Sequence, residues 1–127
     1  MQTRVIRKAE GGNSPKNARA EEIALALMGV TELPAAMVGE TAIWDRTDAP
    51  TLVGRTAILD ALRAVSPPVS ITVTEVVSHG RAGTVSGRLT RDGQGTVLFA
   101  HILRFATASQ KELAQMVSFE REERARG

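Results

Sequence analysis

The chain is 127 residues long, the size of one domain, and its 16 basic and 14 acidic side chains leave a net charge of +2. It contains no cysteine, which excludes disulfides, thiolate nucleophiles and cysteine-ligated zinc. With no tyrosine, one tryptophan and no basic run interleaved with aromatic residues, it lacks the stacking platforms of a single-stranded nucleic-acid binder.

Residues 1–13 are polar and end in Glu10-Gly11-Gly12-Asn13, the composition of a flexible N-terminal tail. Arg4, Arg7 and Lys8 have no apolar segment behind them, so the stretch is not a secretory signal. No apolar run approaches the roughly 18 to 20 residues needed to cross a bilayer. The expected setting is the cytoplasm, with no membrane partner.

Ser14-Pro15 reads as a helix start, serine as N-cap and proline at the first helical position. The helix runs to about Met28, with Ile23, Ala24, Leu27 and Met28 on one face and Gly29 as its stop. A short second helix is expected from Thr31 through Val38, with Pro34 in its first turn. Thr41-Ala42-Ile43-Trp44-Asp45 is a short strand, and Arg46 to Pro50 is turn material. A third helix follows, with Thr56 as N-cap, Ile58, Ala61, Leu62 and Val65 on one face, and Ser66-Pro67-Pro68 as its end.

From Val69 the apolar period changes from 3.6 to 2. Ser70 to Ser78 forms one strand, with Glu75 in phase with Ile71, Val73 and Val77. His79-Gly80 is a turn, Ala82 to Arg91 a second strand, and Asp92-Gly93 a hairpin signal. Residues 96–105 form a third strand. Glu112 to Glu120 favours helix by propensity, yet Leu113, Gln115, Val117 and Phe119 alternate with Ala114, Met116 and Ser118, and the loop before it is short. A fourth meander strand is therefore expected. Residues 122–127 form a charged C-terminal tail. Helices first and an antiparallel meander after them give an α+β fold, with a single domain over residues 14–121.

The most informative stripe is Val97, Phe99, His101, Leu103 and Phe105, where an imidazole interrupts an apolar face. His101 is either a polar group aimed into a dry cavity or a core histidine satisfied by a neighbour. Burial would lower its pKa and favour the neutral form. Asp45 either ends its strand as a turn residue or serves a site. Glu75 interrupts an apolar face; either the sheet exposes that end to solvent or Glu75 pairs with an arginine such as Arg88. Arg55, ahead of a helix, binds an anion or acts as a structural clamp. No H-E-x-x-H motif or glycine-rich phosphate loop is present, and His79 and His101 lack metal-ligand spacing.

Four segments together resemble the nuclear transport factor 2-like superfamily, also called SnoaL-like or cystatin-like. They are Thr41 to Asp45, Leu52 to Ile58 (LVGRTAI), His101 to Phe105 and Val117 to Phe119. The resemblance implies a cone, in which a strongly curved antiparallel sheet wraps N-terminal helices around an open cavity. Members include ketosteroid isomerases, scytalone dehydratases, epoxide hydrolases and polyketide cyclases. Asp45 to Arg55 is similar to the isomerase segment whose aspartate, at the position of Asp45, is the general base. Phe99 to Phe105 is similar to the strand carrying its protonated oxyanion-hole aspartate, a slot taken here by His101. The isomerase also needs a tyrosine, and this chain has none.

The resemblance thus implies a small-molecule pocket with Asp45 and His101 as an acid-base pair. Trp44, Phe99, Leu103 and Phe119 are its apolar walls and Glu75 a further pocket residue. The implied chemistry is cofactor-independent proton transfer next to a carbonyl, as in isomerisation, cyclisation or dehydration. The alternative is a non-catalytic ligand-binding or interaction domain of the same fold. Either form would be a homodimer through the outer sheet face.

Overall fold

The structure, a computed structural model, describes residues 2–8 and 14–123. Seven strands form one curved, unclosed sheet: β1 (Arg4–Arg7), β2 (Val38–Arg46), β3 (Leu52–Val53), β4 (Ser70–His79), β5 (Ala82–Thr90), β6 (Thr96–Phe105) and β7 (Leu113–Glu122). They lie in the order β1-β4-β5-β6-β7-β2-β3. The pairs β1–β4 and β2–β7 are parallel, and the remaining pairs are antiparallel. Two helices, α1 (Pro15–Leu27) and α2 (Arg55–Arg63), complete the α+β architecture expected above.

The start of α1 is as its residues dictate. The Ser14 side chain accepts a hydrogen bond from the Asn17 amide, and Pro15 fills the first turn, where a missing N–H costs nothing. At the far end Gly29 takes φ +85°, and the Val30 amide reaches back to the Leu25 carbonyl, closing the helix. The second half of α1 is buried almost all round (Ile23, Ala24, Leu25, Ala26 and Leu27), because the helix packs into the sheet rather than on its rim. The core continues through Trp44, Ile58, Ile71, Val85, Leu89, Phe99, Leu103, Phe105, Leu113 and Met116.

Three expectations change. The helix expected from Thr31 is only a 3-10 turn over Ala35–Met37, and Val38 already belongs to β2. Pro34 is extended there, with ψ 136°, and after the turn the β-branched Val38 returns to the extended region at φ −99°, ψ 117°. The N-terminal stretch is not a loose tail throughout. Arg4–Arg7 pairs with β4, because the apolar Val5 and Ile6 are half-buried against an otherwise open sheet edge and Arg7 forms an ion pair with Glu21 of α1. The rest of the expected tail at 9–13, and 124–127 at the other end, lie outside the described residues. Finally, the N-cap of α2 is Gly54, φ +98°, rather than Thr56, which lies inside the helix.

The pairing of β4 with β5 carries an irregularity. The ladder slips between Val73 and Glu75, one extra residue on β4 against β5. Opposite the slip sits Gly87, where any Cβ would run into the Thr72 carbonyl. The slip also shifts the phase of the strand. Val76 turns inward, Val77 is 60% exposed, and Glu75 is exposed on the outer face.

Candidate functional site

The inner face of β6 carries Val97, Phe99, His101, Leu103 and Phe105, all buried, as the alternation requires. Antiparallel pairing sets His101 opposite Ser118 of β7, and parallel pairing sets Ser118 opposite Arg46 of β2. Residues in register share a face, so Arg46, Ser118 and His101 stand in one row on the inner side. Trp44 is one inward position earlier on β2. Its indole Nε1 donates to Ser118 Oγ at 2.9 Å, and Ser118 Oγ lies 2.7 Å from His101 Nδ1.

This short chain of bonds has one consistent direction. An indole N–H can only donate, so Ser118 Oγ accepts from Trp44. The hydroxyl hydrogen then needs an acceptor, and among its hydrogen-bond partners only His101 Nδ1 offers one. His101 is therefore the tautomer with its proton on Nε2. Burial pulls the imidazole pKa down from 6.5 to about 4, with the nearby Glu120 carboxylate only partly opposing it. At neutral pH the ring is uncharged, and Nε2–H is a buried donor without a protein partner.

His101 lines a pocket of about 340 Å³. Leu27, Trp44, Ala49 and Val65 give it apolar walls, and Arg46, Asp48, Arg91 and Glu120 give it a charged rim. Arg91 is bound to Glu120 through two hydrogen bonds of 2.7 and 3.0 Å, and that contact holds the guanidinium pKa above its ordinary value. The Arg46 guanidinium carbon sits 5.2 Å from the centroid of the Trp44 ring, and its Nη2 donates to the Pro50 carbonyl. Its Nε is buried with no partner. A wider, shallower groove adjoins the rim and shares Thr47, Asp48, Arg91 and Glu120 with the pocket.

Of the residues singled out from sequence, His101 and Trp44 meet in this pocket. Phe99 supports the imidazole, its ring centroid 5.5 Å away, and Leu103 is buried in the core beside it. Asp45 does not join them. It lies in register with Val117 and so with Ile102 on the outer face, opposite to His101. There its carboxylate accepts from Thr51 Oγ1 at 2.7 Å and from Gln115 Nε2 at 3.4 Å, fastening the turn between β2 and β3. Phe119 also points outward, 49% exposed, and Glu75 is carried outward by the slip in β4. Arg88 pairs with Glu123 rather than Glu75. Arg55 is a clamp, its Nε donating to the Val38 carbonyl.

Sequence reasoning missed Ser118, Arg46, Asp48, Arg91 and Glu120. Ser118 alone had a usable signal, being a polar residue in phase with Met116 on the face of β7 opposite to Val117 and Phe119.

No protein-family model matches the sequence, and no curated protein matches it either. Solved structures do. An NTF2-like protein of unknown function from Burkholderia xenovorans LB400 superposes with a TM-score of 0.67 at 16% identity, over 92% of this chain and 91% of that one. A candidate ketosteroid isomerase from Kribbella flavida gives 0.64 at 20% identity, over 87% and 79%. A candidate SnoaL-like polyketide cyclase from Jannaschia sp. CCS1 gives 0.58 at 17% identity, over 85% and 89%. The chain has the NTF2-like fold. Within that fold the pocket lies between the middle of β6, the ends of β2, β5 and β7, and the C-terminal ends of both helices. Among the described residues no helix is long and apolar enough to cross a membrane.

A neutral buried imidazole makes stability depend on pH. Its folded pKa lies below the unfolded one, so the unfolded chain binds the extra proton first as pH falls. Stability is therefore full above about pH 6.5, declines through the window from 6.5 to 4, and has lost about 2 kcal/mol by pH 5 from this group. Urea unfolding at pH 7 and pH 5 should show that difference in the wild type and a much smaller one in His101→Gln. Equal pH dependence in both proteins would contradict the assignment.

Proposed function

We propose that the protein binds a small molecule in the pocket floored by His101, which donates a hydrogen bond from Nε2 to an oxygen of the ligand. The observation that carries this reading is the unpartnered Nε2 of a neutral imidazole on a pocket wall, its other nitrogen fixed by Ser118. A buried donor left without a partner costs about 1–3 kcal/mol, which a ligand oxygen recovers. The pocket size falls within the usual range for small-molecule sites, about 300–1,000 Å³. That two structural neighbours carry isomerase and cyclase descriptions supports this reading at the level of fold.

A fixed donor of this kind also suits negative charge growing on a carbonyl oxygen. Proton transfer next to that carbonyl needs a base as well, and Asp45 is on the wrong face. Among the described residues the pocket carboxylate outside the ion pairs is Asp48, at the rim. The catalytic form of the proposal therefore assigns the base to Asp48.

Trp44 is the only tryptophan, so its fluorescence reports occupancy of the pocket directly. Small ketones, amides and acids titrated against the protein should include compounds that change this signal and lose about tenfold in affinity in His101→Gln. Compounds that bind with no dependence on His101 would overturn the reading. Run in D2O, the same mixtures should show Asp48-dependent deuterium uptake beside a ketone if proton transfer occurs; its absence removes the catalytic form and leaves the binding form.

The outer face supports a second proposal, that the protein is a homodimer through its sheet. Ile43 (36%), Val77 (60%), Ile102 (42%) and Phe119 (49%) are exposed on that one side. Apolar clusters of this kind mark association surfaces. Sedimentation at micromolar concentration should give a dimer, and Ile102→Glu a monomer. A monomeric wild type would refute it.

A further inference from the structure

The pocket holds more than one unmet donor. Among the described residues, three buried side-chain polar atoms have no hydrogen-bond partner: Arg46 Nε, His101 Nε2 and Gln110 Oε1. Two of the three belong to residues lining this pocket, and both are N–H donors. Buried polar groups in folded proteins are normally paired, so two orphans of the same kind in one small hollow point to a missing acceptor. Register places Arg46 and His101 on the same inward row, on either side of Ser118, and both residues line the one hollow.

Charge narrows the ligand further. Arg91 is already neutralised by Glu120. Arg46 forms no ion pair with any described carboxylate, and its Nη2 hydrogen bond goes to the Pro50 carbonyl of the backbone. A guanidinium held over an indole and short of partners is a receptor for a planar anion. With Arg91 and Glu120 cancelling each other, Asp48 is the remaining rim carboxylate, and its charge favours a singly charged anion over a dianion. The remaining walls, Leu27, Ala49 and Val65 with the Trp44 ring, are apolar.

Resting on the pocket reading above, we propose that the ligand is an organic monocarboxylate. One carboxylate oxygen accepts from Arg46 Nε and the other from His101 Nε2, and the apolar body lies against Trp44, Leu27 and Val65.

The test is a Trp44 fluorescence titration with phenylacetate and hexanoate, their neutral amides, and inorganic phosphate. The acids should bind about tenfold or more tightly than the amides. That preference should disappear in Arg46→Gln and return in part in Arg46→Lys, which keeps the charge but not the planar fork. Circular dichroism and thermal unfolding establish that both variants fold. Amides that bind as well as the acids, with His101 still required, would overturn the carboxylate assignment and leave the pocket reading standing. Phosphate that competes as well as the acids would overturn it in favour of a general anion site. Failure of all acids and amides to bind at millimolar concentration would overturn both.

Discussion

Everything in the site depends on one constraint, the hydroxyl of Ser118 caught between an indole that can only give a proton and an imidazole nitrogen that must then accept one. The serine links three strands, since Trp44 is on β2, Ser118 on β7 and His101 on β6. The two contacts span 74 and 17 residues of sequence and are made only when the sheet is correctly registered. A slip by one residue would turn every one of these side chains to the outer face. The bond chain therefore helps to fix the register and, by the same geometry, fixes which imidazole nitrogen is left unpartnered. Charging the ring would place a cation among Phe99, Leu27 and Trp44 that Glu120 compensates only in part, and burial prevents that at neutral pH.

The alternation of β6 was legible in the sequence because each inward position from Val97 to Phe105 is apolar except one, and the sheet buries the whole stripe. The strand form of the last segment was legible too, since the period of two from Leu113 to Phe119 outweighed helix propensity. What misled the reading was local phase. Glu75 sits in phase with Val73 on paper, but one extra residue on β4 reverses the pattern, and no side chain in the segment announces the slip. The glycine that permits it, Gly87, is on the neighbouring strand. β3 escaped notice because two residues are too few to show a period. Val5 and Ile6 were hidden by the charged and glycine-rich residues around them.

Asp45 shows how resemblance and geometry separate. Its segment resembles that of an isomerase base, and Trp44 beside it does enter the pocket. In a strand, however, adjacent residues face opposite ways, so a buried Trp44 sends Asp45 outward, where Thr51 and Gln115 engage it. The charged groups that reach the pocket come instead from positions whose role depends on long-range register. Arg46 and Glu120 are brought inward by pairing, and Arg91 by the end of β5. Asp48 is brought there by a turn in which it adopts φ +56°. The NTF2-like fold supplies the hollow; these residues set the charge at its rim.

The central claim is that a neutral His101 carries its proton on Nε2, and nitrogen-15 NMR of the imidazole rings reads this directly. At pH 7 the account predicts a His101 signal set with Nδ1 in the acceptor range and Nε2 protonated, unchanged down to about pH 5. A proton on Nδ1, or an imidazolium pattern at pH 7, would contradict it.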